Sequence, residues 1–385
     1  MKFVPVAIAW IAIAQLVIAP RSGAQIFLDF TLEPVESTGN VGTSASLAVD
    51  GLGQPHVAYF DLTNSMLRYA WRDGSGWHSE PVAAADVVRN CSLTLESGGT
   101  PVIVYTVGPE VRSATRGASD WSFQNLDSFA PWAVCVTTAK DGSVHAGYLW
   151  STSGGTYEGH ISYAYKAALT WVEDHIESSL WYFIPTNPHC SIAVDGDLDP
   201  WLCYSNHASR ELRCFQRSGG TWSSSLVSYG TWSSIAFDAT DVPHVSFYDT
   251  ESRQLRIAIG SPGHWSVGVV DDTPGVGQYS SLAFGPGDRA HIAYYDSIAG
   301  DLEYAHIDPF DAMWTTQTVD SGGDTGRWSS LALDSQGNVH IAYYDATNGD
   351  LRYATTRSGV PVRGESWSGV KSMFRGSGKT ADRKP

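Results

Sequence analysis

Apolar runs of four to six residues, rich in Val, Ile, Tyr, Phe and Trp, alternate with polar turns along nearly the whole chain, and the alternation repeats. The stretch HIAYYDATNGDLRYA (340–354) has a near-copy at 291–305, HIAYYDSIAGDLEYA, and another at 56–70, HVAYFDLTNSMLRYA. Aligned on the leading residue, the copies open at His56, Val102, His145, Trp201, His244, His291 and His340, about 47 residues apart. Each copy holds four apolar runs. The first resembles SSLALD (329–334) or SSIAFD (233–238), the second is the run opened by the aligned residue, and the third is LRYA or LEYA. The fourth is led by a Trp: Trp77, Trp121, Trp171, Trp222, Trp265 and Trp314, with Trp367 as a further candidate. Gly, Asp, Asn and Pro separate the runs, which is the grammar of strands and hairpins.

The second run is apolar on both faces, as expected of a strand in a sheet sandwiched between neighbours. Four antiparallel strands in seven copies predict an all-β fold, a seven-bladed β-propeller over 25–359. A solenoid, the alternative, wants shorter and more regular rungs with capping repeats. The sequence also offers a closure. FTLEPVESTGNVGTSASLAVD (30–50) aligns with WTTQTVDSGGDTGRWSSLALD (314–334), so the N-terminal strand is expected to complete the last blade and cover its open edge. SWSGVKSMF (366–374) competes for the same place.

The stretch DSQGNVHIAYYDATNGDLRYA (334–354) resembles the repeat of NHL-type propellers, and its Ser-x-x-x-Asp-x-x-Gly turn resembles, more weakly, the Asp-box of sialidase-type (BNR) propellers. The likeness extends over all seven copies and implies a propeller. The turn departs from the Asp-box in spacing and in its closing aromatic, here usually His, so sialidase chemistry is not implied.

The first 24 residues lie outside the repeat. MKFVPVAIAWIAIAQLVIAPRSGA has one Lys, an apolar stretch and the small residues Ser22-Gly23-Ala24, the pattern of a signal peptide cleaved before Gln25. Pro5 and Pro20 leave an apolar stretch short for a membrane anchor. The expected product is soluble and either secreted or periplasmic, with no membrane association after cleavage and no signal for assembly beyond the monomer. The formal charge of −16 becomes −18 when Lys2 and Arg21 leave. Such a surface disfavours nucleic acid and anionic membranes, whose phosphates need clustered Lys and Arg. Only RGSGKTADRKP (375–385), within a tail over 360–385, is basic, and it lacks apolar periodicity, as a disordered segment does. The five cysteines, Cys91, Cys135, Cys190, Cys203 and Cys214, match no zinc spacing. Cys203 and Cys214 fall on adjacent antiparallel strands, where a disulfide is geometrically open.

The repeated polar residues point to structure. His recurs in five copies, and an Asp ends the second run in four, at Asp61, Asp249, Asp296 and Asp345. Chemistry needs a residue once. A His hydrogen-bonded inside its blade, and Asp50, Asp195, Asp238 and Asp334 closing Asx-turns, explain the recurrence. The alternative for Asp249, Asp296 and Asp345 is a carboxylate ring holding a cation such as Ca2+. No nucleophile elbow, zinc-protease helix, phosphate loop or EF-hand loop occurs, so no catalytic residue and no metal ligand is assigned.

Function is sought where the repeat breaks. The third copy carries two insertions, LWSTSGGTYEGH (149–160) and DHIESSLWYFIPTNPH (174–189), predicted to emerge on one face of the disc. They bring Trp150, Tyr157, His160, Trp181, Tyr182 and His189 together as loop residues, with Asn206 in the next copy replacing the repeated Asp. Large aromatics with polar tips suit sugar rings; packing of the Trp181–Phe183 cluster against its blades is the bland alternative. The expected function is non-catalytic carbohydrate recognition by an exported propeller. A polysaccharide-cleaving hydrolase or lyase using carboxylates around the central channel is the second reading, and it requires a non-repeated acid there with a perturbed pKa; Glu158, Glu173 and Asp174 are the acids near the insertions. The third is a scaffold for an extracellular protein partner.

Overall fold

The run opened by the aligned residue becomes the second strand of a four-stranded antiparallel sheet each time it occurs. These strands, such as Pro55–Asp61 and Val339–Asp345, are buried along their whole length, as their two-faced apolarity requires. The computed structural model describes residues 26–84, 90–128, 130–151, 158–168, 170–182, 189–205, 209–307, 313–356 and 362–363, and no helix occurs among them. Five four-stranded sheets and one seven-stranded sheet hold nearly all the strands, and a two-stranded ribbon joins Ile26–Phe27 to Val362–Arg363. Inside the seven-stranded sheet one strand, Thr221–Phe237, is the last of one four-stranded set and the first of the next. Counting it in both gives seven four-stranded units: 41–84, 91–127, 130–182, 190–229, 230–271, 276–320, and 325–356 completed by Phe30–Glu36.

No unit has a core of its own. Phe60 and Tyr69 of unit 1 pack with Ile103 and Tyr105 of unit 2, and Val57 and Tyr59 of unit 1 pack with Ala342 and Leu351 of unit 7. The innermost strands are also stitched by side chains. The N–H groups of Leu93, Val136, Leu282, Leu331 and Leu47 donate to the hydroxyls of Ser46, Ser92, Ser234, Ser281 and Ser330, each one unit back, at 2.9–3.0 Å. At the periphery the leading Trp of the fourth strand donates its indole N–H to the preceding unit. Trp121 reaches Glu80, Trp222 reaches Asp174, and Trp77 reaches Glu33. The last contact places the N-terminal strand where every other unit has its own fourth strand. Phe30–Glu36 pairs antiparallel with Asp350–Thr356, and Trp367 lies outside the described residues, as does segment 1–24, where a signal peptide is expected.

The repeated polar residues have the structural roles read from their recurrence. The Nδ1 atoms of His56, His145, His291 and His340 lie 2.5–2.6 Å from the hydroxyls of Tyr69, Tyr163, Tyr304 and Tyr353. His244, whose unit has Ile257 in that place, meets the Val242 carbonyl instead. Asp50, Asp195, Asp238 and Asp334 each accept two backbone N–H bonds of their own turn. Cys203 and Cys214 face each other across adjacent strands and form a disulfide, while Cys91, Cys135 and Cys190 are buried free thiols.

Burial lowers the pKa of His56, His145, His291 and His340, that of His291 to about 3. A base whose folded pKa lies below its unfolded value of 6.5 favours folding above 6.5 and loses that contribution as pH falls toward the folded pKa. The urea midpoint is therefore expected to drop between pH 7 and pH 4.5. The total loss is on the order of several kcal/mol, because each tenfold weakening of proton affinity corresponds to about 1.4 kcal/mol. A midpoint flat over that range contradicts the neutral buried imidazoles.

Candidate functional site

The innermost strands of units 1, 5, 6 and 7 share one sequence: GTSASLA (42–48), GTWSSIA (230–236), GQYSSLA (277–283) and GRWSSLA (326–332). In each, the register slips ahead of the second Ser or its equivalent, so the strand carries a bulge there. The bulge puts Ser44, Trp232, Tyr279 and Trp328 into left-handed backbone, with φ of 53°, 51°, 54° and 50°. Bulky side chains rarely occupy this region, and each such residue costs on the order of 1–3 kcal/mol. The neighbouring units hold the conformation: the Ser280 hydroxyl donates to the Trp232 carbonyl at 2.6 Å, and that of Ser329 to the Tyr279 carbonyl at 2.7 Å. Close backbone approach demands the preceding glycine as well. A Cβ on Gly326, at φ 103°, would stand 2.7 Å from the Leu302 Cα.

The result is an arc of half-buried aromatic rings over three consecutive units. Trp232 and Tyr279 have centroids 5.4 Å apart and planes at 50°; Tyr279 and Trp328 repeat this at 5.4 Å and 47°. Behind each ring stands a buried Tyr from the second strand: Tyr248 at 5.7 Å, Tyr295 at 6.1 Å and Tyr344 at 5.5 Å. The Tyr295 hydroxyl donates to Asp324 and the Tyr344 hydroxyl to Asn40, which fixes the backing rings. Tyr279 and Trp328 border a central cavity of about 240 Å³ whose facing wall includes Ser44, Asn90 and His189. Asn90 is locked by accepting the Val134 N–H. Burial drives the His189 pKa down to about 4, so its imidazole is neutral at pH 7, and burial raises that of Tyr279.

The residues expected from the insertions do not form a common exposed cluster among the described residues. Trp150 is buried in the second strand of unit 3; its indole N–H donates to Ser162 at 2.9 Å and its ring stacks on His160 at 3.9 Å. The strands here run longer than the repeat implies: Val144–Ser151 and Glu158–Ala167 absorb half of the expected loop over 149–160, and the rest, 152–157, lies outside the described residues. Trp181 and Tyr182 close the strand Thr170–Tyr182, and their side chains, with Tyr157 and Asn206, fall outside the described residues. Of these residues that are described, only His189 lines the cavity. Asp174 pairs with Arg217 and accepts the Trp222 indole, a structural role. Asp249, Asp296 and Asp345 each cap a separate turn, and among the described residues no three His, Cys, Asp or Glu side chains converge as metal ligands do.

The arc is invisible to a repeat whose first run begins at the Ser pair. The signal lies one residue upstream: Trp, Tyr and Trp at the same position, two residues after a Gly, outside any core periodicity.

One non-repeated acid with a perturbed pKa does exist, but on the third strand of unit 6 and not among the described residues that line the cavity. Where the repeat has Arg68, Arg256 or Arg352, unit 6 has Glu303. Arg352 lies 2.9 Å from Asp320 and 3.6 Å from Asp345. Glu303 faces Asp271, Asp301 and Asp296 instead, and burial first, then these carboxylates, raise its pKa to about 7. An acid whose folded pKa is raised binds a proton more tightly when folded, so it destabilises the fold above pH 7 and not below 4.5. Glu303→Gln is expected to stabilise by about 1–2 kcal/mol at pH 8, discounted for partial exposure, and by nothing at pH 4.5. Equal denaturation midpoints for the two proteins at pH 8 would remove this account.

No family model matches the sequence, and no curated protein matches it. Solved structures do. Virginiamycin B lyase from Staphylococcus aureus superposes with a TM-score of 0.55 at 13% identity, covering 86% of this chain and all of the other. An ulvan lyase of polysaccharide lyase family PL25, bound to -[GlcA(1-4)Rha3S]-, gives 0.58 at 11% identity over 88% and 98%. AofleA from Arthrobotrys oligospora gives 0.51 at 10% over 76% and 89%. The fold is a β-propeller. At these identities the likeness extends to the propeller architecture alone, and the chemistry must come from this chain's own residues.

Proposed function

We propose that this protein is an exported, seven-bladed propeller that binds carbohydrate on the Trp232–Tyr279–Trp328 arc at the mouth of its central channel. The observation that carries the reading is the arc itself: three half-buried rings on equivalent positions, each in a strained bulge and each backed by a Tyr. Strained backbone that recurs with an aromatic side chain at a channel mouth marks a binding surface better than a packing need, since unit 1 holds the same bulge with Ser44. The planes of successive rings turn by close to one seventh of a revolution, which supports the sevenfold count. Rings inclined this way form a curved collar, suited to a sugar entering along the axis rather than lying flat across the disc. Other propellers of similar fold act on polysaccharide, as the ulvan lyase does, which places carbohydrate within the reach of the architecture.

A cleaving enzyme is the second reading, favoured by Glu303 as a non-repeated acid with pKa near 7. A glycan-array screen of the full-length exported protein, followed by calorimetry and a cleavage assay on each hit, separates the two. Binding without cleavage supports recognition; cleavage lost in Glu303→Gln supports the enzyme; absence of any glycan hit overturns both.

A further inference from the structure

We propose that the seam between units 4 and 5, beside the arc, is a polar subsite that reads the hydroxyl groups of an uncharged sugar. The inference rests on the arc being a carbohydrate site and adds the ligand class. At three inner seams the group after the bulge bonds back to the preceding unit: Ser280 to the Trp232 carbonyl, Ser329 to that of Tyr279, and the Cys91 thiol to that of Ser44 at 3.2 Å; Ala45 and Val134, which hold this position in units 1 and 3, have no side-chain group to donate. At the seam between units 4 and 5 this pattern stops. Ser233, which holds the position of Ser280 and Ser329, has a buried hydroxyl with no partner. The hydroxyls of Thr231, Ser191 and Ser205 and the Nδ1 of His189 are likewise enclosed and unpartnered. Ser233 is 0% exposed, Ser205 6% and Thr231 7%.

Buried polar groups in folded proteins are nearly always bonded, and these five orphans at units 4 and 5 call for a partner from outside the chain. Their chemistry restricts that partner. Hydroxyls both donate and accept, and the neutral imidazole supplies one more polar nitrogen. His189 and Ser191 line the central cavity, and none of its described lining residues is Asp, Glu, Lys or Arg, so a carboxylate or sulfate group would enter there without a counter-charge. Vicinal sugar hydroxyls fit this set. Trp232 sits between Thr231 and Ser233, so the surface that stacks on a ring face and the groups that read its edge are contiguous along one strand.

The test is a glycan array carrying neutral oligosaccharides beside their uronate and sulfated counterparts, probed with the full chain and with Ser233→Ala, His189→Ala and His189→Gln. The hits are expected to be neutral. Ser233→Ala and His189→Ala should each weaken them about tenfold or more, with His189→Gln partly restoring affinity. A deoxy analogue of the hit should bind the parent protein more weakly but lose nothing further in the variant that lacks its partner, a coupling that mere misfolding does not produce. Hits confined to acidic glycans, or variants that bind like the parent while Trp328→Ala does not, overturn the subsite and leave the arc standing. Undiminished binding in every arc variant overturns the arc as the site, no hit at all overturns the carbohydrate reading, and the subsite falls with either.

Discussion

Replacing Trp232 and Trp328 together by Ala is expected to reduce affinity for any glycan hit by more than about 100-fold. The two rings flank Tyr279 and supply most of the arc's apolar face. Losing a stacked aromatic removes its buried area and roughly 0.5–1.5 kcal/mol of ring contact in addition; two such losses exceed about 2.7 kcal/mol, a factor of 100. The backbone gives a sharper control. Because Trp328 sits at φ 50°, Trp328→Gly removes the ring while suiting the conformation. It is expected to lose ligand as Trp328→Ala does, yet unfold at a higher temperature than that variant. Calorimetric titration beside thermal unfolding reads both. Undiminished binding in the double variant would mean that the arc is packing and the site lies elsewhere.

Removal of residues 1–36 is expected to leave a chain that aggregates and unfolds at much lower temperature, whereas removal of 1–24 is not. The strand Phe30–Glu36 covers the edge of Asp350–Thr356, and an uncovered edge invites pairing with other chains. Phe30 and Leu32 pack where units 6 and 7 meet, Val35 packs where units 7 and 1 meet, and Glu33 and Glu36 bind Trp77, Arg72 and Arg68 of unit 1. Loss of three partly buried apolar side chains and these polar contacts should cost at least about 4 kcal/mol. Light scattering and thermal unfolding of the two truncations make the comparison. A monomeric 37–385 chain with unchanged unfolding temperature would assign the closing strand to another segment.

The fold was legible because its physical cause is periodic. A strand buried on both faces needs HIAYYD-like runs, an Asx-turn needs Asp before Gly, and each requirement recurs about every 47 residues. The alignment of 30–50 with 314–334 also anticipates the pairing of Phe30–Glu36 with Asp350–Thr356. The candidate site was not. Insertions in unit 3 looked like exposed aromatic loops, but the strands lengthened to absorb Trp150 into the core. The arc, in contrast, lies within the repeat, at a position whose exposure depends on a bulge rather than on residue type. Sequence pattern reports which residues alternate; it does not report that the backbone has turned left-handed and swung a Trp toward the axis. The unpartnered hydroxyls of Ser233 and Thr231 were hidden for a related reason, because Ser and Thr satisfy themselves in most seams and fail to only in this one.

The pairing of Phe30–Glu36 with Asp350–Thr356 has a consequence for how the molecule is made. Contacts within and between units 1 to 6 join residues near in sequence, and they can form as the chain emerges. Unit 7 cannot: its outer strand leaves the ribosome first and its other three strands leave last. Closure is thus a single event that spans more than 300 residues, slow by the loop it must close. Until then the first strand and the edge it will cover are both open, which gives a chaperone its longest opportunity to act.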